Sequence, residues 1–259
     1  MKKTLIALAV AASAAVSGSA MAWTANGTGS SVDLGGTLKP ADVVTPWEVK
    51  VGDAVTGLDA QIKKGEKTAD ISVSKDISIL GIRSKSNTFR AQQGISPQIN
   101  YAGHVDLKSG SWENMNLNLE VLDQTTSTKI GSLFVKNFKA AGGVSMTGSS
   151  ADGVYSVKAP NAGNAFYGGI RSGDNAGNAE SVMAFFNGEV SANFSDQGLE
   201  RKFNRIKNFN FNDTNTAVYS AFYGSGIKKG ENIRITLDTP AGADAIAWKA
   251  TLPVTVSYQ

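Results

Sequence analysis

The sequence predicts an all-β fold, an antiparallel β-sandwich of immunoglobulin-like architecture, on three observations. Segments that alternate apolar and polar residues at period two recur along the chain. Clusters of Gly, Pro, Asn and Ser separate them, and no long amphipathic helical pattern interrupts them. Short strands in regular succession, without helical crossovers, pack as two antiparallel sheets with Greek-key connections. The chain has no cysteine. Packing and backbone ladders must therefore hold the sheets together, and thiol catalysis and cysteine zinc sites are excluded.

In chain order, Met1-Lys-Lys3 forms a positive start, residues 5–16 an apolar run of Leu, Ala, Ile and Val, and Ala20-Met-Ala22 an A-x-A cleavage site. A signal peptide is expected over residues 1–22, with the mature chain starting at Trp23. The apolar run is too short to span a membrane, so the expected compartment is the periplasm or beyond. Next comes a glycine-rich leader, residues 23–38. In Ser30-Ser-Val-Asp-Leu-Gly-Gly-Thr-Leu38, period-two alternation places Val32, Leu34, Gly36 and Leu38 on one face. Such a leader is a candidate strand donor.

The remaining domain, 39–259, contains the strands. They are expected at Trp47-Glu-Val-Lys-Val51, Asp70-Ile-Ser-Val-Ser74, Ile77-Ser-Ile-Leu80, Gln98-Ile-Asn-Tyr101, Leu117-Asn-Leu-Glu-Val121 and Ile130-Gly-Ser-Leu-Phe-Val135. A second group covers Ala217-Val-Tyr-Ser-Ala-Phe-Tyr223, Asn232-Ile-Arg-Ile-Thr-Leu237 and residues 246–258. Gly224-Ser-Gly226 reads as a hairpin turn completed by Lys228-Lys-Gly230. From about 140 to 213 the texture changes to Gly, Ala, Asn and Ser with aromatic islands, the pattern of an insertion.

The last strand, Thr251-Leu-Pro-Val-Thr-Val-Ser-Tyr258, presents Leu252, Val254, Val256 and Tyr258 on one face. Pro253 suits an edge strand. An open edge is an aggregation liability unless something pairs with it, and an open edge together with a detachable strand allows polymerisation by strand addition. The alternative is an ordinary closing strand of a complete domain.

The whole chain carries 25 basic and 22 acidic residues; loss of Lys2 and Lys3 leaves 23 basic against the same 22. Near-zero, scattered charge argues against nucleic acid or an anionic membrane as the main partner. No cofactor or metal is indicated. His104 is the single histidine; without a G-x-S-x-G elbow it reads as a polar strand-end or loop residue. Glu113 with Glu120, and Asp238 with Asp244, offer carboxylates for glycoside hydrolysis, but sequence spacing does not set two carboxyls around a sugar. Phe203, Phe209 and Phe211, in and after the basic stretch Arg201-Lys-Phe-Asn-Arg-Ile-Lys207, admit two readings: a platform for a glycan, or anchors that pack the insertion onto the sandwich.

Several signposts then fall in a shared order: Met1-Lys-Lys-Thr-Leu-Ile-Ala-Leu-Ala9, Ser31-Val-Asp-Leu-Gly-Gly36, Pro46-Trp-Glu-Val-Lys-Val-Gly52, Ile79-Leu-Gly81, Pro97-Gln-Ile99, Lys129-Ile-Gly-Ser132, Phe166-Tyr-Gly-Gly169 and Trp248-Lys-Ala-Thr-Leu-Pro-Val254. In these the chain resembles the FaeG-type major and minor fimbrial subunits of enterotoxigenic Escherichia coli chaperone-usher fimbriae. The resemblance implies an incomplete immunoglobulin-like pilin that lacks its last strand. It implies a periplasmic chaperone, an outer-membrane usher and neighbouring fimbrial subunits as partners, export through the periplasm, and a place in a cell-surface fimbrium that attaches bacteria to host cells.

Carried over by position, Val32, Leu34, Gly36 and Leu38 form the donor strand, and Leu252, Val254, Val256 and Tyr258 the edge on which the chaperone lays its own strand. The shorter, Asn/Gly-rich insertion departs from the major subunit's glycan-binding region. The reading favoured is therefore a minor, non-enzymatic structural subunit. A subunit that binds host glycans comes second, and a secreted carbohydrate-active enzyme is the remaining alternative.

Overall fold

The computed structural model describes residues 34–37, 44–173, 177–212 and 216–259. The proposed signal peptide, Val32 and Leu38 lie outside the described residues. The chain divides into two units, Met1–Ala41 and Asp42–Gln259. In the first, residues 34–37 have no regular secondary structure and are exposed.

The second unit is built of strands: β1 Trp47–Val51, β2 Thr68–Ser72, β3 Ile77–Ser84, β4 Phe89–Arg90, β5 Pro97–Asn100, β6 Val105–Asp106, β7 Asn114–Asp123, β8 Lys129–Thr147, β9 Gly153–Val157, β10 Ile206–Lys207, β11 Val218–Ile227, β12 Asn232–Leu237, β13 Trp248–Lys249 and β14 Thr255–Tyr258. Two short 3₁₀ helices, Ala179–Val182 and Phe185–Ser191, are the helical elements described. The all-β, antiparallel expectation holds: named strand pairs are antiparallel apart from β9 with β10.

The strands β1-β3-β11-β8-β12-β2 run in that order across the main sheet, and β14 with β5 forms a separate two-stranded sheet. The organising element is β8. Its first half pairs with β7 and β12, and its second half with β11 and β9. A strand that changes neighbours midway carries the chain round a sandwich corner. Apolar residues of β3, β7, β8, β11 and β12 meet in one main core. A second, smaller cluster, with Val182, Phe185, Phe194, Phe203 and Phe222, covers the opposite face of β11. Strand β11 is consequently buried on both faces, as in sheets covered on two sides.

The structure corrects two expectations. Gly224-Ser-Gly226 is not a turn but part of β11, where the register against β3 shifts between Ser225 and Gly226, a bulge of the kind glycine permits. The turn lies instead at residues 229–230. The start of the insertion, expected near 140, falls inside β8. Gly142 and Gly143 belong to the strand because aromatic rings close over them: a Cβ would lie 2.7 Å from Phe166 at Gly142 and 2.5 Å from Phe222 at Gly143. The final run is also divided, into β13 and β14, with residues 250–254 outside regular pairing.

Candidate functional site

The site consists of two strands, β1 and β14, each paired on one side only and each carrying partly exposed apolar side chains. Strand β1 pairs with β3 alone, Trp47 facing Ser84 and Val51 facing Leu80. Its apolar face starts fully covered and emerges into solvent: Trp47 is 3% exposed, Val49 42% and Val51 56%. The alternate face carries Glu48 and Lys50, held by ion pairs of 2.8 Å to Arg83 and 2.7 Å to Glu189. Alternation at period two puts the apolar residues on the core side. There Ile82 and Leu80 of β3 are completely buried.

Strand β14 pairs with β5 alone, Val256 opposite Ile99 and Tyr258 opposite Pro97. Leu252, Val254, Val256 and Tyr258 are half-buried and pack against the main core, whereas Thr251, Pro253, Thr255 and Ser257 between them are exposed. The structure thus brings together the four terminal residues singled out from the sequence, on one face of one run. The two free edges meet at one end. Burial raises the Tyr258 phenol above its ordinary value, opposed by a hydrogen bond with Thr45, two residues before β1. Nearby, the Trp47 indole Nε1 donates to the Ile95 carbonyl at 2.6 Å, and Ser96 and Gln259 exchange backbone hydrogen bonds of 2.9 and 3.1 Å.

Of the leader residues, Leu34 is 94% exposed and Gly36 is exposed; Val32 and Leu38 lie outside the described residues. Val49 and Val51 were not singled out from the sequence, although their alternation with Glu48 and Lys50 was legible. What the alternation does not reveal is how far Val49 and Val51 stay exposed in the fold.

Phe203, Phe209 and Phe211 are placed differently from the glycan platform considered for them. They are 4%, 5% and 1% exposed. Phe211 packs on Trp47, Phe89, Phe209 and Tyr219, and Phe203 on Phe194 and Phe222. Their faces are taken up by neighbouring rings, which leaves no surface on which a sugar could stack; the anchor reading fits this packing. Arg205 lies over the outer side of Tyr155 at 4.4 Å.

His104 sits between a turn and β6, its Nδ1 2.9 Å from the Asn118 carbonyl oxygen. Glu113, expected as solvated charge, is largely covered and pairs with Lys139 at 3.6 Å. Among the described residues no group of three or more His, Asp and Glu side chains is arranged to hold a metal, and no helix is long and apolar enough to cross a membrane.

Two hollows flank β1. One, of about 470 Å³, lies against Glu48, Lys50, Arg83, Phe186 and Glu189. The other, of about 300 Å³, lies at the strand's start, between Val44, Pro46, Lys85, Phe89 and Arg90.

These features define a β-sandwich subunit in which two singly paired strands, β1 and β14, carry partly exposed apolar side chains. The chain belongs to the family described as "Fimbrial, major and minor subunit", whose model matches residues 1–259. Among its relatives in Escherichia coli, K88 fimbrial protein AC is 31% identical, K88 fimbrial protein AB 32% and F41 fimbrial protein 29%, each aligned over the full length of both chains. The protein is accordingly a fimbrial subunit, one that assembles with other fimbrial subunits.

Proposed function

We propose that this chain is a non-enzymatic structural subunit of a chaperone-usher fimbria, polymerised by donor-strand exchange. The observation that carries the reading is the pair of partly exposed apolar rows, Val49 and Val51 on β1 and Leu252 to Tyr258 at the chain's end, on strands that are each paired on one side only. An added strand would satisfy both rows of free backbone groups and cover the apolar side chains. Each side chain so buried contributes about 1.5–3 kcal/mol and each ladder hydrogen bond about 0.5–1.5 kcal/mol.

The leader of a neighbouring copy supplies a strand of matching pattern, with Val32, Leu34, Gly36 and Leu38 on the face that meets these apolar rows. Before assembly, a periplasmic chaperone occupies the same edge of β14, and the outer-membrane usher replaces it with the next subunit on the way to the cell surface. The subunit takes a minor place in the fibre and supports attachment of the bacterium to host cells. Alignments with the relatives run over at least 285 positions against 259 residues here, which is in keeping with a pared-down subunit.

The test compares two versions of the mature chain: one without residues 23–38, the other with that segment appended after Gln259 through a flexible linker. A stable, cooperatively melting monomer from the second version alone is the expected result. Equal stability of both would mean a sandwich complete in itself, and would remove the reading.

A further inference from the structure

The donor-strand reading leaves open how the bodies of two successive subunits meet, and the structure supplies surfaces for that contact. The inference rests on that reading. A subunit's leader ends at Leu38 and its own β1 begins at Trp47. Nine residue steps reach at most about 30 Å. The donor's body is therefore tethered beside the acceptor, and what lies closest to the tether is the start of β1.

That region carries the 300 Å³ hollow. Lys85 and Arg90 stand at it, and no acidic residue lines it. The Lys85 ammonium donates to the Thr45 carbonyl at 3.1 Å and the Arg90 guanidinium to the Thr216 carbonyl at 3.0 Å, and among the described residues no acidic side chain pairs with either. Val44, 79% exposed, adds an apolar contact.

The acceptor's opposite pole has the complementary surface. Among the described residues the named strand pairs are antiparallel apart from β9 with β10, and antiparallel pairs are somewhat more stable. A leader antiparallel to β14 enters beside Tyr258 and Thr45 and leaves toward the far end of β1. At that end Val51 and Val55 are 56% and 37% exposed. Asp53 is exposed between them, and no ion pair is recorded for it among the described residues. Opposite charges and apolar side chains thus face each other in a head-to-tail geometry, which repeats along an open fibre.

We infer that the hollow at the start of β1, with Lys85 and Arg90, docks against Asp53, Val51 and Val55 of the second copy whose groove holds the leader, so that each junction has a body-to-body contact beside the donor strand. The short tether raises the effective concentration of the two surfaces, so a contact too weak to hold free subunits together is populated within a junction.

The experiment has two arms. In the first, a labelled peptide of residues 23–38 is titrated into the mature chain, wild type and Lys85→Glu/Arg90→Glu. Equal binding is expected, because the peptide carries no donor body. In the second, fibres are collected from cells and their dissociation into monomers in urea is timed. Lys85→Glu/Arg90→Glu fibres should dissociate about tenfold faster, and adding Asp53→Lys to the same chain should restore the wild-type rate.

Equal peptide binding with unchanged dissociation overturns the contact. Faster dissociation that Asp53→Lys does not reverse overturns the pairing with Asp53. Peptide that fails to bind wild type overturns the donor-strand reading itself, independently of the fibre result. Monomer melting checks that the variants fold; should the double reversal fail to fold, Lys85→Gln and Arg90→Gln, which remove charge without reversing it, replace it with the same expected direction.

Discussion

Val49 and Ile82 stand directly opposite each other across β1 and β3, yet Ile82 is completely buried while Val49 is 42% exposed. Neighbours in one ladder, on one face, differ because the core continues beneath β3 but under β1 reaches only Trp47. The difference separates folding from assembly. Ile82→Asp should unfold the subunit, since an unpaired buried charge is not tolerated. Val49→Asp should melt near the wild-type temperature but be missing from fibres. Thermal melts of the monomer together with quantitation of surface fibres check both; normal fibres from Val49→Asp would separate this edge from assembly.

On the donor side, Val32→Asp or Leu34→Asp should leave the sandwich fold unchanged and block incorporation. Leu34 is 94% exposed in the isolated subunit, so a charge there costs the monomer little, whereas in a filled groove the same charge would be desolvated. Normal fimbriae carrying either variant would remove the donor assignment.

Phe209→Ala and Phe211→Ala should each destabilise the monomer by about 3–5 kcal/mol through the cavity left behind. Denaturant titration measures this. If either substitution instead left stability intact and abolished attachment to host cells, the packing role derived from their burial would be wrong.

Alkaline stability should be set largely by a buried hydroxyl cluster. The Tyr101 hydroxyl lies 2.8 Å from that of Tyr223 and 2.7 Å from Ser225, and Tyr223 donates to the Gly169 carbonyl. Burial pushes the Tyr101 phenol up to about 12 from an ordinary 10.0, against the pull of its hydrogen bonds. An acid with a raised folded pKa contributes stability that is whole below the unfolded value and is lost as pH rises through the folded one. Stability should thus fall between pH 10 and about 12, and less steeply in Tyr101→Phe. Denaturation midpoints across that range provide the check.

The acid side has its own group. Burial works to raise Asp76, but the Lys229 backbone N–H, the Lys228 ammonium at 3.0 Å and the nearby positive charges outweigh it, leaving its pKa below the ordinary 3.8. Its contribution is therefore present above that value and lost as pH falls below it. Asp76→Asn should lower stability at neutral pH and flatten the acid limb of the stability curve below pH 4, which urea midpoints at pH 7 and pH 3 would register.

The sequence made β1 and β12 legible to the residue, because in both a single face is apolar and the alternation is undisturbed. It misled where a strand is buried on both sides. In β11 the run Tyr219 to Ile227 has no polar face, and its glycines, there to admit the rings of Phe185 and Val182's side chain, looked like turn punctuation. Gly142 and Gly143 of β8 had the same effect on the insertion boundary. The two-residue strand β10 holds its place through pairing with the distant β9, and no local period announces it. At the candidate site, the terminal alternation of Leu252 to Tyr258 was readable, whereas the exposure of Val49 and Val51 is a matter of what is absent above them.

On the donor-strand reading, β1 is both the first strand after the leader and one border of the place that receives the next leader. With the leader as the link between subunits, tension in a fibre enters each body at Pro46 and leaves it along the same strand's edge. The pull is then borne in shear by the hydrogen bonds that run from β1 to β3 and, across the inserted strand, to β14. A fibre of this kind would resist pulling as a rope does, and substitutions that weaken the β1–β3 ladder would show under load before they show in the resting monomer.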